Sequence, residues 1–573
     1  MINKNNLNSS LSAYLRQHKD NPVNWQEWSK ETLAFAKEKK MPILLSVGYA
    51  SCHWCHVMAH ESFEDKETSE MMNRKFINIK VDREERPDID FVFQSSFQLF
   101  NQAGGGWPLT MFLDENGVPF SGGTYFPKTS QHGLPSFKNV LQKVSDIYVE
   151  QREKIISQCN LIIKNLTLRK SSVINQDPKI FTDDILNKLD NIKGGFKGAP
   201  KFPTFYVFDA LLYFYNKYKD EKYLKPVELL LNKICSQGIY DHVESGISRY
   251  TVDENWLVPH FEKMLYDNIQ FISLISKFLK IKKNDYLKKK MLDTINFLKS
   301  GFLNSECNLL GSAYDADSEG VEGKYYTFEY NELKHIEKIE NYFEISPDGN
   351  WEGKIILKEI KPISPNIRDE LMKIRKKRTK PFFDNKTQLD LNCFWVSALL
   401  NSYSISKDKN ILITCEKFFK NIQNKFEKKI LFHCHSEKDV FLEDYAYYIQ
   451  MLLDLYDNTM NVSYKFKADE RCNQAIELFF DEKKNIFHKN LIKENDLFLN
   501  PIDISDSTIP NGNSIMLLNL TRLGKMEIAK KLSESLIAYT NFYGGFMTSS
   551  IKSIDFFKEI SSGKNCDSEG CSV

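Results

Sequence analysis

The sequence predicts an α/β domain followed by a much larger all-helical domain, and three observations predict it. Over the first ~130 residues, short apolar or alternating runs alternate with amphipathic stretches, the signature of strands interleaved with helices. Beyond about residue 180 the helical period continues almost without strand signals. A Cys-x-x-Cys pair, Cys52 and Cys55, falls between the first apolar run and the following amphipathic stretch.

In chain order, residues 28–39 read as a helix and 43–47 as a buried strand ending at Gly48. Residues 55–73 read as one helix, the alternating run 76–81 as a second strand, and 88–100 as a helix. Residues 109–113 form a third strand, Asp114-Glu115-Asn116-Gly117 a turn, and 118–120 with 124–126 a last short strand. Residues 137–168 read as one long connecting helix closing a domain over 1–168, and the polar stretch 169–180 as a linker. The helical domain then covers 181–560, with runs at 205–218, 223–235, 261–279, 286–299, 393–405, 411–426, 444–455, 467–480, 514–523 and 526–539, and a Cys-containing tail at 561–573. Several of these helices are apolar almost all round, so they are buried on two sides. A double ring of helices supplies such positions.

The 573 residues exceed one ordinary core, so two or three domains are expected. A net charge of +1 provides no global attraction to nucleic acid or an acidic membrane, so neither partner is expected. The Asn- and Ser-rich start lacks an apolar secretory segment, and no stretch reaches the ~20 apolar residues of a membrane helix. Eleven scattered cysteines fit a reducing, cytoplasmic compartment, where a close Cys pair signals catalysis or metal.

At a helix start, free backbone N–H groups and the macrodipole favour a thiolate. Cys52 is therefore read as the attacking thiol and Cys55, one turn on, as the resolving thiol, with His53 and His56 adding positive charge. Pro108, just before the third strand, stands where thioredoxin-like folds place a cis-proline against the disulfide. Three other readings compete: Cys52-His53-Trp54-Cys55-His56 matches a c-type haem attachment pattern, Cys52, His56 and His60 share a helix face in zinc-ligand spacing with Cys55 adjacent, and the cysteines could be merely structural. Redox chemistry is preferred, with no cofactor and no metal, and with a thiol/disulfide protein or small thiol as partner.

The segments Ser51-Cys52-His53-Trp54-Cys55-His56-Val57-Met58, His60-Glu61-Ser62-Phe63-Glu64-Asp65 and Lys80-Val81-Asp82-Arg83-Glu84-Glu85-Arg86-Pro87-Asp88 resemble the signature of a thioredoxin-domain family. It includes bacterial YyaL-type proteins and the spermatogenesis-associated thioredoxin-like protein of animals. Gly105-Gly106-Trp107-Pro108, Pro200-Lys201-Phe202-Pro203, Pro259-His260-Phe261-Glu262-Lys263-Met264, Ala313-Tyr314-Asp315-Ala316-Asp317 and Leu442-Glu443-Asp444-Tyr445-Ala446 are similar as well. The sequence departs from the pattern at Leu391, Asn511 and Glu244-Ser245. The resemblance implies a thioredoxin-like domain fused to an (α/α)6 toroid like those of six-hairpin glycosidases and sugar epimerases.

In such a toroid the loops joining helices share one mouth. His242, Arg249, Tyr250, Asp253, Trp256, His260, Glu262 and Tyr266 form one polar cluster in these loops, and Tyr314, Asp315, Asp317, Glu319, Glu322 and Tyr325 a second. Pro259 is read as the start of a helix carrying His260 and Glu262 in its first turn. Paired carboxylates serve sugar hydrolysis, and His242 or His260 serve proton transfer in isomerisation. The leading expectation is a thiol–disulfide protein whose toroid binds a carbohydrate-like ligand. The alternatives are a carbohydrate-active enzyme with a regulatory Cys pair, and a non-catalytic scaffold.

Overall fold

The computed structural model describes residues 3–102, 104–131, 133–168, 170–171, 177–493 and 496–563. Cys566 and Cys571 lie outside the described residues. The chain forms two compact units. The first comprises Met1–Arg169 together with His433–Phe441 and His488–Asp503, and the second comprises the remainder. The sequence reading had placed both later segments in the helical domain. Long-range contacts recruit them: Leu497 enters the core that holds Trp28 and Phe93, and the Arg86 guanidinium bridges Asp88 and Asp496 at 2.8 Å each. Asn490 Nδ2 also donates to Asp88 at 2.9 Å.

The sheet of the first unit contains β1 (Ile43–Gly48), β2 (Ile77–Asp82), β3 (Leu109–Leu113) and β4 (Pro119–Gly123), in the order β2-β1-β3-β4. β1 runs parallel to β2 and antiparallel to β3, and β3 is antiparallel to β4. The helices are α1 (Ala13–Gln17), α2 (Lys30–Lys39), α3 (His53–Met58), α4 (Lys66–Lys75), α5 (Pro87–Asn101), α6 (Phe137–Glu150) and α7 (Arg152–Asn165). This is the thioredoxin-like arrangement. The single helix read over 55–73 is broken: a π-helical turn, Ala59–Phe63, follows α3, and Asp65 then starts α4 by accepting the Thr68 N–H at 2.9 Å. The long helix read over 137–168 is also two helices, because Gln151 leaves the helical region; Tyr148 and Arg152, on either side, both bond Glu115.

In the second unit, α8 (Pro178–Lys188), α9 (Phe205–Tyr218), α10 (Glu221–Ser236), α11 (Leu265–Ile281) and α12 (Asp285–Gly301) precede a long connection holding α13 (Tyr330–Leu333) and α14 (Pro365–Arg375). Then follow α15 (Leu389–Ser406), α16 (Lys409–Phe426), α17 (Leu442–Thr459), α18 (Val462–Phe479), α19 (Gly512–Arg522), α20 (Met526–Tyr543) and α21 (Thr548–Ser561). Helices α9, α11, α15, α17, α19 and α21 each pack on the next, and α21 packs on α9, closing an inner ring. Helices α10, α12, α16, α18, α20 and α8 back it from outside. The result is an (α/α)6 toroid. Inner helices are buried round nearly their whole circumference, as their unbroken apolar character requires.

Two helices of the toroid were not read from sequence. α8 begins within the stretch taken as linker, with Asp177 as its cap and Pro178 in its first turn. α21 is serine-rich, yet Ser549, Ser550 and Ser553 are buried, small side chains that fit an inner helix. Inner helices are tied to the connections before them by asparagines. Asn268 accepts from the Ile247 N–H and donates to its carbonyl, Asn392 does the same to Leu310, and Asn513 to Phe487.

Candidate functional site

The Cys52–Cys55 pair sits where β1 gives way to α3. Cys52 is the N-cap residue of α3 and is joined to Cys55 by a disulfide, with Cα atoms 5.2 Å apart. Cys52 Sγ accepts the Cys55 N–H at 3.2 Å, a bond to a helix-terminal donor that also favours charge on this sulfur when reduced. Cys52 and Cys55 are 3% and 1% exposed, whereas Trp54 between them is 46% exposed. The Trp107–Pro108 bond is cis and Pro108 is buried. Trp107 is held by Asp90 at 2.8 Å, by the Arg83 guanidinium 3.9 Å over its ring, and edge-on by Tyr49 of the turn leading to Cys52. His56 and His60 do not converge on Cys52 as the zinc spacing would have had them: His56 Nε2 lies 3.1 Å from the Ala50 carbonyl, and His60 pairs with Glu64.

Beside β1 and Tyr14 lies a buried group to which the sequence alone assigns no role. A methyl group on Gly48 would meet both the Tyr14 hydroxyl and Cys55 Sγ, so these atoms flank one another over bare backbone. Lys80, opposite Ser46 in the β1–β2 register, is fully buried. Its ammonium donates to Ser46 Oγ at 2.9 Å and lies 4.5 to 5.2 Å from the centres of the Phe63, Tyr14 and Trp25 rings. Burial pushes its pKa well below the ordinary lysine value. The available signal was a lysine within an otherwise apolar-alternating strand that is buried on both faces.

In the second unit, some of the candidate residues meet and others do not. Arg249 Nη1 lies 3.3 Å from Glu262 Oε1, both buried, and His260 Nδ1 lies 2.7 Å from Glu322 Oε1. His260 packs on Tyr250 at 4.8 Å between ring centres, and Tyr250 stacks on the 41% exposed Phe202 at 4.7 Å. Asp317 stands opposite Glu322 across a short antiparallel pair, and Asp315 follows the Tyr314–Lys263 pair on the side of Glu262. Tyr266 is buried in the first turn of α11. Residues 259–264 do not start a helix: Phe261 has φ +53°, Lys263–Met264 is a strand, and α11 begins at Leu265.

His242 is separated from this group. It is buried beside Lys290, whose Nζ is 3.2 Å from Nδ1, with Nε2 at the Gln237 carbonyl; burial, then Lys290, lower its pKa well below the usual histidine value. The cavity beside it measures about 30 Å³, space for a water and not a sugar. Asp253 braces its own loop by accepting from the N–H groups of Asn255, Leu257 and Val258. Trp256 is fully buried, its Nε1 donating to the Lys193 carbonyl. Glu319 is an exposed partner of Lys324. Sequence reasoning missed a buried charge cluster, in which the Asp241 carboxylate binds Lys263 at 2.6 Å and Arg375 at 2.7 Å. Asp241 and Arg375 stand in otherwise ordinary sequence, and Lys263, though within the 259–264 segment, carries no local mark of its buried partner.

Fold and centre together define a two-unit protein, a thioredoxin-like disulfide domain joined to an (α/α)6 toroid. Residues 4–167 match the family Thioredox_DsbH, described as a protein of unknown function, DUF255. Over 91% of its length the chain is 30% identical to an uncharacterized Caenorhabditis elegans protein, covering 80% of that protein. It is 28% identical to spermatogenesis-associated protein 20 of Rattus norvegicus, covering 91% of this chain and 75% of that one. The chain belongs to the family of these proteins. Among solved structures, cellobiose 2-epimerase from Bacillus thermoamylovorans is similar at 13% identity, 64% of this chain, 87% of that one and a TM-score of 0.42. A D-mannose isomerase is similar at 12%, 64%, 86% and 0.42. Among the described residues, no helix is long and apolar enough to cross a membrane.

Proposed function

We propose that the chain is a thiol–disulfide oxidoreductase. The observation that carries this reading is the Cys52–Cys55 disulfide at the N-terminus of α3, with Cys52 Sγ accepting a helix-terminal N–H. In the reduced protein, the Cys52 thiolate attacks a partner disulfide, forming a mixed disulfide and expelling one partner thiolate. The Cys55 thiolate then attacks Cys52 Sγ, re-forming the internal disulfide and releasing the second partner thiolate. Two electrons pass to the partner, and an external dithiol restores Cys52 and Cys55. The Tyr14 hydroxyl lies beside Cys55 Sγ, where a proton must leave, and the Lys80 ammonium lies 5.2 Å from the centre of the Tyr14 ring.

The second half of the reading is that the toroid binds a carbohydrate-like ligand. Support comes from the exposed aromatic stack of Phe202 on Tyr250 beside the polar groups of His260, Glu262 and Glu322. Stacked rings next to convergent hydrogen-bonding groups suit a sugar face and its hydroxyls.

A redox titration of the wild type beside Cys52→Ser, read by thiol alkylation, tests the first half. A single two-electron couple is expected in the wild type, with Cys52→Ser losing at least 100-fold in turnover of a small-molecule disulfide. Two inert thiols in the wild type would refute the assignment. Calorimetry with mono- and disaccharides on wild type and Phe202→Ala tests the second half, for which loss of binding in the variant is expected.

A further inference from the structure

The segment His433–Phe441, far along the sequence but part of the first unit, brings two metal-ligand side chains to the loop after β2. One ligand atom each of Glu85, Cys434 and His435 lies within 4.8 Å of the others. His435 Nε2 and Glu85 Oε1 are 3.7 Å apart. With bonds of about 2.0–2.2 Å, a nitrogen and an oxygen on a tetrahedral ion stand about 3.3–3.6 Å apart, so this edge needs to shorten by only a few tenths of an ångström. Cys434 is 3% exposed, while the Glu85 and His435 side chains are 20% and 27% exposed, an arrangement with the thiol inside and an entry path at the other two ligands.

A second observation concerns what these groups face. Glu85 and His435 line a cavity of about 580 Å³ within the first unit, whose wall includes Asp82, Arg86, Lys438 and Asp439. That volume is in the range of small-molecule sites. The ligand segment is fixed from behind: His433 Nε2 bonds the Glu84 carbonyl at 2.9 Å, and the His433 N–H donates to the Asp439 carbonyl at 2.8 Å. Such backing holds neighbouring ligands in place.

We infer that Glu85, Cys434 and His435 form a three-ligand site for a zinc-type divalent ion, with its fourth position opening on the 580 Å³ cavity. A thiolate, an imidazole and a carboxylate match the borderline chemistry of zinc, and oxygen-seeking calcium or magnesium would be poorly served. The ion would take water or a small anionic group at its open position. The plain alternative is a His435–Glu85 ion pair beside an inert buried thiol, and it is an outcome of the test.

The experiment uses full-length protein carrying Cys52→Ser, Cys55→Ser, Cys566→Ser and Cys571→Ser, so that neither the redox pair nor the tail can hold the metal. This makes the result independent of the redox reading. Titration with cobalt(II) under reducing conditions is expected to bind one equivalent, with thiolate-to-cobalt charge-transfer absorption that zinc abolishes. Adding Cys434→Ser should remove that band, and His435→Gln or Glu85→Gln should weaken binding at least tenfold. A background protein without the band, or a band that survives Cys434→Ser, would overturn the site. Should Cys434→Ser fail to fold, unchanged cobalt affinity in His435→Gln, which alters a partly exposed side chain, overturns it equally.

Discussion

Two fully buried lysines, one in each unit, show how differently the units treat charge. Lys263 of the toroid meets a carboxylate: its ammonium is 2.6 Å from Asp241 and 2.9 Å from the Ser245 carbonyl, and Arg375 binds the same Asp241. Among the described residues, Lys80 of the thioredoxin-like unit meets the Ser46 hydroxyl and the faces of three aromatic rings. Burial lowers both amines, but Asp241 and Glu244 draw Lys263 back towards its ordinary range, whereas burial alone governs Lys80. The toroid uses buried ions as paired braces for its connections. The thioredoxin-like unit instead keeps, among three aromatic rings, an amine whose pKa burial pushes well below the ordinary lysine value.

The largest effect should come from breaking the toroid's cluster. Asp241→Asn removes the carboxylate bonded to both Lys263 and Arg375, leaving two buried cations to the more distant Glu244, 3.8 Å from Arg375. A loss of about 3–5 kcal/mol in urea unfolding is expected. The pH dependence follows the same logic. Burial raises the Asp241 carboxyl, but Arg375 and Lys263 outweigh it and hold its pKa below the ordinary carboxylate value. The folded pKa is thus depressed, so this stabilisation is present above the unfolded value of about 3.9 and is lost as pH falls below it. A variant within 1 kcal/mol of wild type, with the same acid limb, would show that the cluster is not a brace.

The same contrast explains how much was legible in the sequence. The Cys52–Cys55 pair was readable because its parts are contiguous: a strand, a turn and a helix start place both cysteines through local geometry alone. The inner helices were readable from apolar runs such as that of α9, found at the residues expected. What long-range packing decides was not readable. Segment 488–503 joins the first unit through Leu497 and Asp496, and segment 433–441 through the bond of His433 to the Glu84 carbonyl, residues that carry no local mark. His242 looked like a loop residue free to reach a mouth, but the connection holding α14 buries it against Lys290 and Phe343. α21 was lost because buried serines on an inner helix resemble the serines of a loop.

A smaller effect is expected from the other side of the toroid's cluster. Lys263→Met leaves Asp241 bonded to Arg375 at 2.7 Å, so no carboxylate is stranded, and the methionine fills similar volume against Phe297 and Tyr326. The loss should be about 1–2 kcal/mol, chiefly one charge-assisted hydrogen bond. Equality with Asp241→Asn would mean that the ammonium, and not the shared carboxylate, organises the cluster.

The smallest effect has the opposite sign. Lys80→Met exchanges a buried amine for an apolar side chain in a cage of Tyr14, Trp25 and Phe63. Leaving Ser46 Oγ without this donor costs about 1 kcal/mol, while desolvating an ammonium with no carboxylate beside it costs several. A net gain on the order of 1 kcal/mol at pH 7 is therefore expected. Because the folded pKa of Lys80 lies below its unfolded value of about 10.4, the unfolded chain binds more protons between the two. Wild-type stability should rise with pH through that window, and the rise should be missing in Lys80→Met. Urea melts of both proteins from pH 6 to 10 measure it. A variant less stable than wild type at pH 7, with both curves parallel, would mean that the three ring faces compensate the ammonium fully. Lys80 would then be a paired brace like Lys263, with rings in place of a carboxylate, and the contrast between the two units would disappear.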